Sequence, residues 1–159
     1  MDAYLEFAEI TGSSTADDFL DHHDILSFSH SASRPANMEG GRGRDPGHVA
    51  HSVVSVTKMV DKATPLLWDF CNANKSVPEI LLKLVRIEGA ESSSEGGERS
   101  IFMTYTLKNV RITSINVSGG GGGMAVENIT FAYEQILWTY NGEDGNVESG
   151  WDVSGQTGL

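Results

Sequence analysis

The stretch from His48 to Lys75 constrains the fold most, because it asks for two periodicities in immediate succession. From His51 to Val60 the residues alternate. Val53, Ser55, Thr57 and Met59 fall on one face; Val54, Val56, Lys58 and Val60 fall on the other. A period of two in β-branched residues marks a strand packed on a core. The alternation stops at Asp61-Lys62-Ala63-Thr64-Pro65. Thr64 is a favourable helix N-cap, since its hydroxyl can accept an orphan backbone N–H, and Pro65 suits the first helical position, where it has no N–H to lose. Leu66, Leu67, Phe70 and Cys71 then form one apolar stripe, which Asn72, Asn74 and Lys75 close. The pattern predicts a strand running into a helix over about 65–74 that docks on a sheet.

A chain of 159 residues reads as one domain, 1–159, with enough length for a core. Its net charge of −11 argues against nucleic acid or an anionic membrane as partner, since phosphates would be repelled. The single cysteine, Cys71, excludes a disulfide framework and reads as a core thiol. The opening MDAYLEFAEI has neither a basic region nor a long apolar run, and no stretch is apolar enough to span a bilayer as a helix. The expectation is a chain made in the cytoplasm, without membrane insertion, whose export would need a machine that reads no cleavable signal.

Tyr4 to Ile10 reads as a short strand, and Thr11 to Asp24 as an acidic loop anchored by Phe19 and Leu20. Asp17, Asp18, Asp21, His22, His23 and Asp24 are metal-ligand types, but no spacing among them fixes a coordination geometry. His48 and His51 could chelate only on a helix and lie at the start of a strand. No metal and no cofactor is expected. In Ile25 to Ser33, Ile25, Ser27, Ser29, Ser31 and Ser33 share one strand face, and Leu26, Phe28, His30 and Ala32 share the other. The first is a row of small hydroxyls that something can slide past or lie against; the second packs inward. Arg34 to Gly47 (RPANMEGGRGRDPG) is a long loop carrying Arg34, Met38, Glu39, Arg42, Arg44 and Asp45. It lacks a phosphate-binding signature and reads as an interaction loop.

Val77 to Ile87 is apolar on both faces, with Leu81, Val85 and Ile87 opposite Ile80, Leu82 and Leu84. A second cover is expected, from the docked helix or from another subunit. Gly89 to Arg99 is a polar turn. Ile101 to Leu107 and Arg111 to Val117 form one long bent strand, or two strands with a bulge at Lys108–Asn109. Gly119 to Gly123 is a hinge, Val126 to Tyr140 the longest strand signal, and Asn141 to Ser149 an acidic turn before Trp151, which anchors the tail. About seven or eight short-linked strands with one helix predict a mainly β fold, a small closed antiparallel barrel or sandwich with one docked helix.

Val56 to Pro65, with Leu66, Leu67 and Cys71 after it, resembles the haemolysin-coregulated protein (Hcp) family of type VI secretion systems. The resemblance runs through Ile10-Thr11-Gly12-Ser13-Ser14, Ile25-Leu26-Ser27-Phe28-Ser29, the glycine-rich loop, Val126-Glu127-Asn128-Ile129-Thr130-Phe131 and Gly150-Trp151-Asp152. Its most specific parts are the DKATP junction and the ENITF strand. His30 departs from the family pattern, and the run Gly119 to Gly123 is expected to vary in length among relatives. The resemblance implies a homo-hexameric ring that stacks on copies of itself into a tube, inside a contractile sheath and beneath a spike protein. It further implies effector proteins in the ring lumen and release from the cell. In that setting Ser27, Ser29 and Ser31 would line the lumen, and the loop carrying Arg34, Met38, Glu39, Arg42, Arg44 and Asp45 would meet the next ring.

Other readings of the residues remain. A tail-tube protein of a related contractile injection system would share the pattern. An enzyme would need pairs such as Glu127 with Glu134, or Asp24 with His23, in one cleft, and no such constellation is legible. A monomeric carbohydrate-binding sandwich would rest on Trp68, Trp138 and Trp151, which read better as packing residues.

Overall fold

The computed structural model describes residues 1–35, 48–88 and 98–159. In chain order these form β1 (Asp2–Glu6), β2 (His23–Ile25), β3 (Ser27–Ser29), β4 (Ala32–Ser33), β5 (Ala50–His51), β6 (Val54–Met59), α1 (Thr64–Asn72), β7 (Ser76–Glu88), β8 (Glu98–Ser118), β9 (Val126–Ala132), β10 (Gln135–Gly142), β11 (Gly145–Asp152) and β12 (Thr157–Gly158). The described chain is mostly strand with one α-helix, and every strand pair is antiparallel.

The 21-residue β8 organises the sheet. Its first half lies between β7 and β10. Its second half pairs with β9, which passes the ladder to β6 and then β3. The bend between the halves is at Asn109, whose φ of 53° is a left-handed conformation that asparagine tolerates better than most residues. This is the single bent strand anticipated for this region. The facing chain bends with it. The expected continuous strand from Val126 to Tyr140 is instead β9 and β10, interrupted at Tyr133–Glu134, where the Glu134 N–H donates to the Lys108 carbonyl at 3.0 Å. The Asn109 side-chain amide donates to Glu134 Oε2 at 2.9 Å and pins the two bends together.

The ladder is branched and open, so the expected closed barrel is not what the pairing draws. Seven strands run in the order β12-β11-β10-β8-β7-β1-β2, with β9, β6 and β3 as a branch and β4–β5 as a separate pair. The strand predicted across Ile25 to Ser33 breaks at Leu26, which is 59% exposed while Ile25 is buried. Ile25 and Ser27 therefore do not share a face. The acidic turn predicted over Asn141 to Ser149 is also shorter than expected: β10 and β11 meet across the Gly142–Gly145 pair, with Gly145 at φ 124°.

The core lies between the two halves of the sheet. Leu5, Ile80, Leu82, Leu107 and Ile136 face it from one half, and Val54, Val56, Ile129 and Phe131 from the other. The helix contributes Leu67, 1% exposed, while Leu66 and Trp68 remain 49% and 40% exposed, a narrower stripe than the sequence pattern implies. Ala63, not Thr64, holds the N-cap position and makes no side-chain cap. Thr64 is one residue inside the helix because its hydroxyl is committed elsewhere, as described below. The second cover for β7 comes partly from the N-terminal loop: Phe19 packs on Val85 and stacks on Tyr4 with ring centroids 4.3 Å apart. Ile87 stays exposed, and Leu20, expected to anchor beside Phe19, points outward.

Candidate functional site

The outward face of β3, β6, β9 and the second half of β8 is built from cross-strand rows. One row reads Ser27, Thr57, Asn128, Asn116; the next reads Ser29, Ser55, Thr130, Ser114. Every side chain in both rows is small, polar and uncharged. The alternation that produces this is strict on β6 and β9, where the intervening Val54, Val56, Lys58, Glu127, Ile129 and Phe131 are all buried. The rows are knitted by their own hydrogen bonds. Asn128 Nδ2 donates to Ser55 Oγ at 3.0 Å and Thr57 Oγ1 at 3.1 Å, and Thr130 Oγ1 meets Ser114 Oγ at 2.6 Å and Thr113 Oγ1 at 2.7 Å. A donor already paired within the wall has less to offer a visitor, so the surface is wettable without being adhesive. On a chain of net charge −11, two full rows without one ionised group make an unusual patch.

Behind this wall sits a buried ionic cluster that the sequence pattern did not single out. Lys58 is 1% exposed and Glu127 0%. Lys58 Nζ lies 2.6 Å from Glu127 Oε1 and 3.0 Å from Asp61 Oδ1, and donates to the Met59 carbonyl at 2.9 Å. Thr64 Oγ1 donates to the same Glu127 oxygen at 3.1 Å and accepts the Asp61 N–H at 3.1 Å. Ser13 Oγ donates to Asp61 Oδ2 at 3.0 Å. Burial alone would raise the Asp61 pKa, but hydrogen bonds from Lys58, the Ala63 N–H and Ser13 outweigh it and hold the carboxyl below its ordinary value. The cluster thus joins the DKATP junction to the ENITF strand, the two stretches on which the resemblance is most specific. The available signal was a lysine at an inward position between valines.

Ser27 and Ser29 stand in the wall, exposed. Ser31 is exposed beyond the end of β3, where its N–H donates to Ser52 Oγ at 2.9 Å and its carbonyl accepts the Ser52 N–H at 2.8 Å. Arg34 is exposed just after β4; Met38, Glu39, Arg42, Arg44 and Asp45 lie outside the described residues. Thr57, Ser55, Asn128, Thr130, Ser114 and Asn116 complete the wall and needed the register to be found. The suggested acid–base pairs do not assemble: Glu127 is enclosed with Lys58, while Glu134 is exposed and bound to Asn109. His23 is wholly buried and donates Nε2–H to the Ile10 carbonyl at 2.8 Å, whereas Asp24 points outward. Trp138 and Trp151 pack against the core. Among the described residues no group of three or more His, Cys, Asp or Glu side chains could hold a metal ion, and no helix is long and apolar enough to cross a membrane.

A long, bent β-strand with a sheet branching from each half, one α-helix seated by a buried ion cluster and an uncharged outer wall define a mainly β scaffold. The family model described as "Type VI secretion system effector, Hcp" matches residues 4–140, and the chain belongs to that family. It is 28% identical to Protein hcp1 of Pseudomonas aeruginosa over 96% of this chain and 95% of that one. It is 24% identical to the Major exported protein of the same organism over 73% of this chain and 67% of that one. Among solved structures, one described as a type six secretion system protein superposes with a TM-score of 0.83 at 25% identity, covering 99% of each chain.

Proposed function

We propose that the chain is a tube subunit of a type VI secretion machine, which closes into a homo-hexameric ring whose lumen is lined by the Ser/Thr/Asn wall. The observation that carries this reading is the wall itself. A channel that must hold cargo and let it go needs a surface that water wets and that grips neither charge nor apolar groups. Ser27, Ser29 and Ser31 would contact effector proteins in the lumen. The fold would complete a barrel across Leu26, whose N–H donates to the Thr57 carbonyl at 2.8 Å and so links β2 and β3 to β6 as one bent strand. Rings would stack head-to-tail, a heterologous contact that propagates a filament instead of closing. The loop from Arg34 to Gly47, with Met38, Glu39, Arg42, Arg44 and Asp45, would meet acidic residues such as Glu143, Asp144, Glu148 and Asp152 of the next ring. Sheath and spike proteins would be the remaining partners, and the tube would leave the cell by contraction, with no bond made or broken by this chain.

Light scattering on the purified protein, with negative-stain imaging, tests the ring: a mass of about six chains supports it, and a monodisperse monomer at micromolar concentration overturns it. Reversal of Arg42 and Arg44 to Glu should spare the hexamer and abolish tubes and secretion. Tubes of normal length and unchanged salt sensitivity would remove the electrostatic part of the stacking, since exposed pairs worth ~0–1 kcal/mol each are screened by salt.

A further inference from the structure

A histidine pair lies at the root of the 34–47 segment, where β4 and β5 pair through Ala32–His51 and Ser33–Ala50. The His30 and His51 rings are nearly parallel, at 16°, with centroids 5.5 Å apart. Both rings lean on Trp138, at 6.3 and 6.1 Å, and His30 meets the edge of Tyr105 at 6.4 Å. The hydrogen bonds fix the protons. Tyr133 donates its only hydroxyl proton to the Ser52 carbonyl at 2.8 Å. Its oxygen can then only accept from His30 Nε2, 2.7 Å away, so that nitrogen carries a hydrogen. His51 Nδ1 lies 3.4 Å from the same Nε2–H, which already serves the Tyr133 oxygen, and it can share that hydrogen only as a bare nitrogen.

We propose that His51 is a proton-operated latch: its bare Nδ1 holds the β4–β5 root against His30 and Trp138, and a proton taken up at that nitrogen releases the root. Protonation would set N–H against N–H across 3.4 Å. Among the described residues the titratable groups facing the pair are Tyr133 and Tyr105, besides the two imidazoles themselves; Trp138 does not titrate. Among the described residues no ion pair joins either ring to a carboxylate, so an imidazolium there has no compensating carboxylate among them. Burial pushes both imidazoles below the ordinary value of 6.5, His30 further through its neighbour His51, and it holds the Tyr133 hydroxyl up at about 12, so the phenol stays protonated throughout. The sign follows. A histidine whose pKa is depressed in the closed state stabilises that state above its free value and loses the contribution as pH falls through 6.5 toward the lower closed-state value. The consequence for ring stacking rests on the function proposed above; the latch itself does not.

Amide hydrogen exchange at Ser31 and Ser52 in the full chain, from about pH 7.5 down to about pH 5, tests it. After correction for intrinsic exchange, protection should fall several-fold with a midpoint below 6.5. His51→Gln should flatten that fall. Unchanged protection in the wild type, or an equal fall in His51→Gln, overturns the latch. Nitrogen-15 shifts of the wild-type imidazoles give an arm free of variants: a hydrogen on His51 Nδ1 at neutral pH overturns it as well. Tube assembly at the two pH values separates the two proposals. A root that opens while tubes persist keeps the latch and removes the root from stacking; tubes lost while the root stays closed removes the latch.

Discussion

The two halves of the sheet differ in how they treat charge. On the half that branches through β9, β6 and β3, the two central outward rows are all Ser, Thr and Asn, flanked by Met59–Val126–Ser118 on one side and Ala132–Arg111 on the other, and the ionised groups Lys58 and Glu127 are turned inward. On the half formed by β1, β7, β8, β10 and β11, the inward rows are apolar up to their edge on β11, where Ser149 stands opposite Trp138, and charge sits outside. There Tyr4, Lys83, Thr104, Thr139 and Glu148 form one row, and Glu79, Lys108, Gln135 and Asp152 another. Lys83 reaches Glu6 at 2.6 Å on that exposed side. The same lysine–glutamate chemistry thus serves opposite ends: outside, a screened pair of small worth; inside, a clasp between two loops and a strand whose rupture is costly.

The largest way to break the comparison is Lys58→Met. It leaves Glu127 buried without its cation and should cost about 3–5 kcal/mol, read as a lower urea midpoint at constant slope. The double variant Lys58→Met with Glu127→Leu should recover part of that loss, because the fully buried Glu127 charge is gone while Asp61 still lacks its cation. Lys83→Met on the outer half should change stability by no more than about 1 kcal/mol. Equal losses from the two lysines would erase the distinction.

The join between the halves comes next. Asn109→Val forces a β-branched residue into φ 53° and should cost about 1–2 kcal/mol, whereas Asn109→Gly relieves the backbone and should lose little beyond the bond to Glu134. A harmless valine would mean that the bend is set elsewhere. Acid should act on the inner cluster too. The Asp61 carboxyl is held below its ordinary 3.8, so it stabilises the fold above that value, and the contribution is lost as pH falls through its lower folded value. Asp61→Asn should remove this part of the acid transition in a pH titration of unfolding. Smallest in stability is Ser29→Gln, within about 0.5 kcal/mol of wild type, since the side chain points outward. Its effect should appear as impaired effector retention by an intact ring, and full retention would count against the lumen assignment.

Local patterns carried some of this and pairing carried the rest. The strand-to-helix passage from Val54 to Asn72 was legible because β-branched alternation and a Thr-Pro step are properties of neighbours in sequence. Ser27 and Ser29 were legible for the same reason. The interruption at Tyr133–Glu134 was not, because it answers a kink at Asn109 on the facing strand. The break at Leu26 had no local marker, and it undid the expected common face of Ile25 and Ser27. Asn128, Thr130, Ser114 and Asn116 each alternate correctly in their own strands, yet only the register aligns them with Ser27 and Ser29. Thr64 looked like a cap because its type suits one; its hydroxyl is claimed by Glu127, a residue far along the chain.

The wall has one more consequence. Serine, threonine and asparagine side chains neither gain nor lose protons across the range in which proteins stay folded. The wall therefore has no titration curve. Whatever happens to Asp61 or His51 when the surroundings acidify, its eight row residues carry the same zero charge and the same hydrogen-bonding inventory. A molecule resting against it would meet a surface whose chemistry is the same before and after any such change of surroundings.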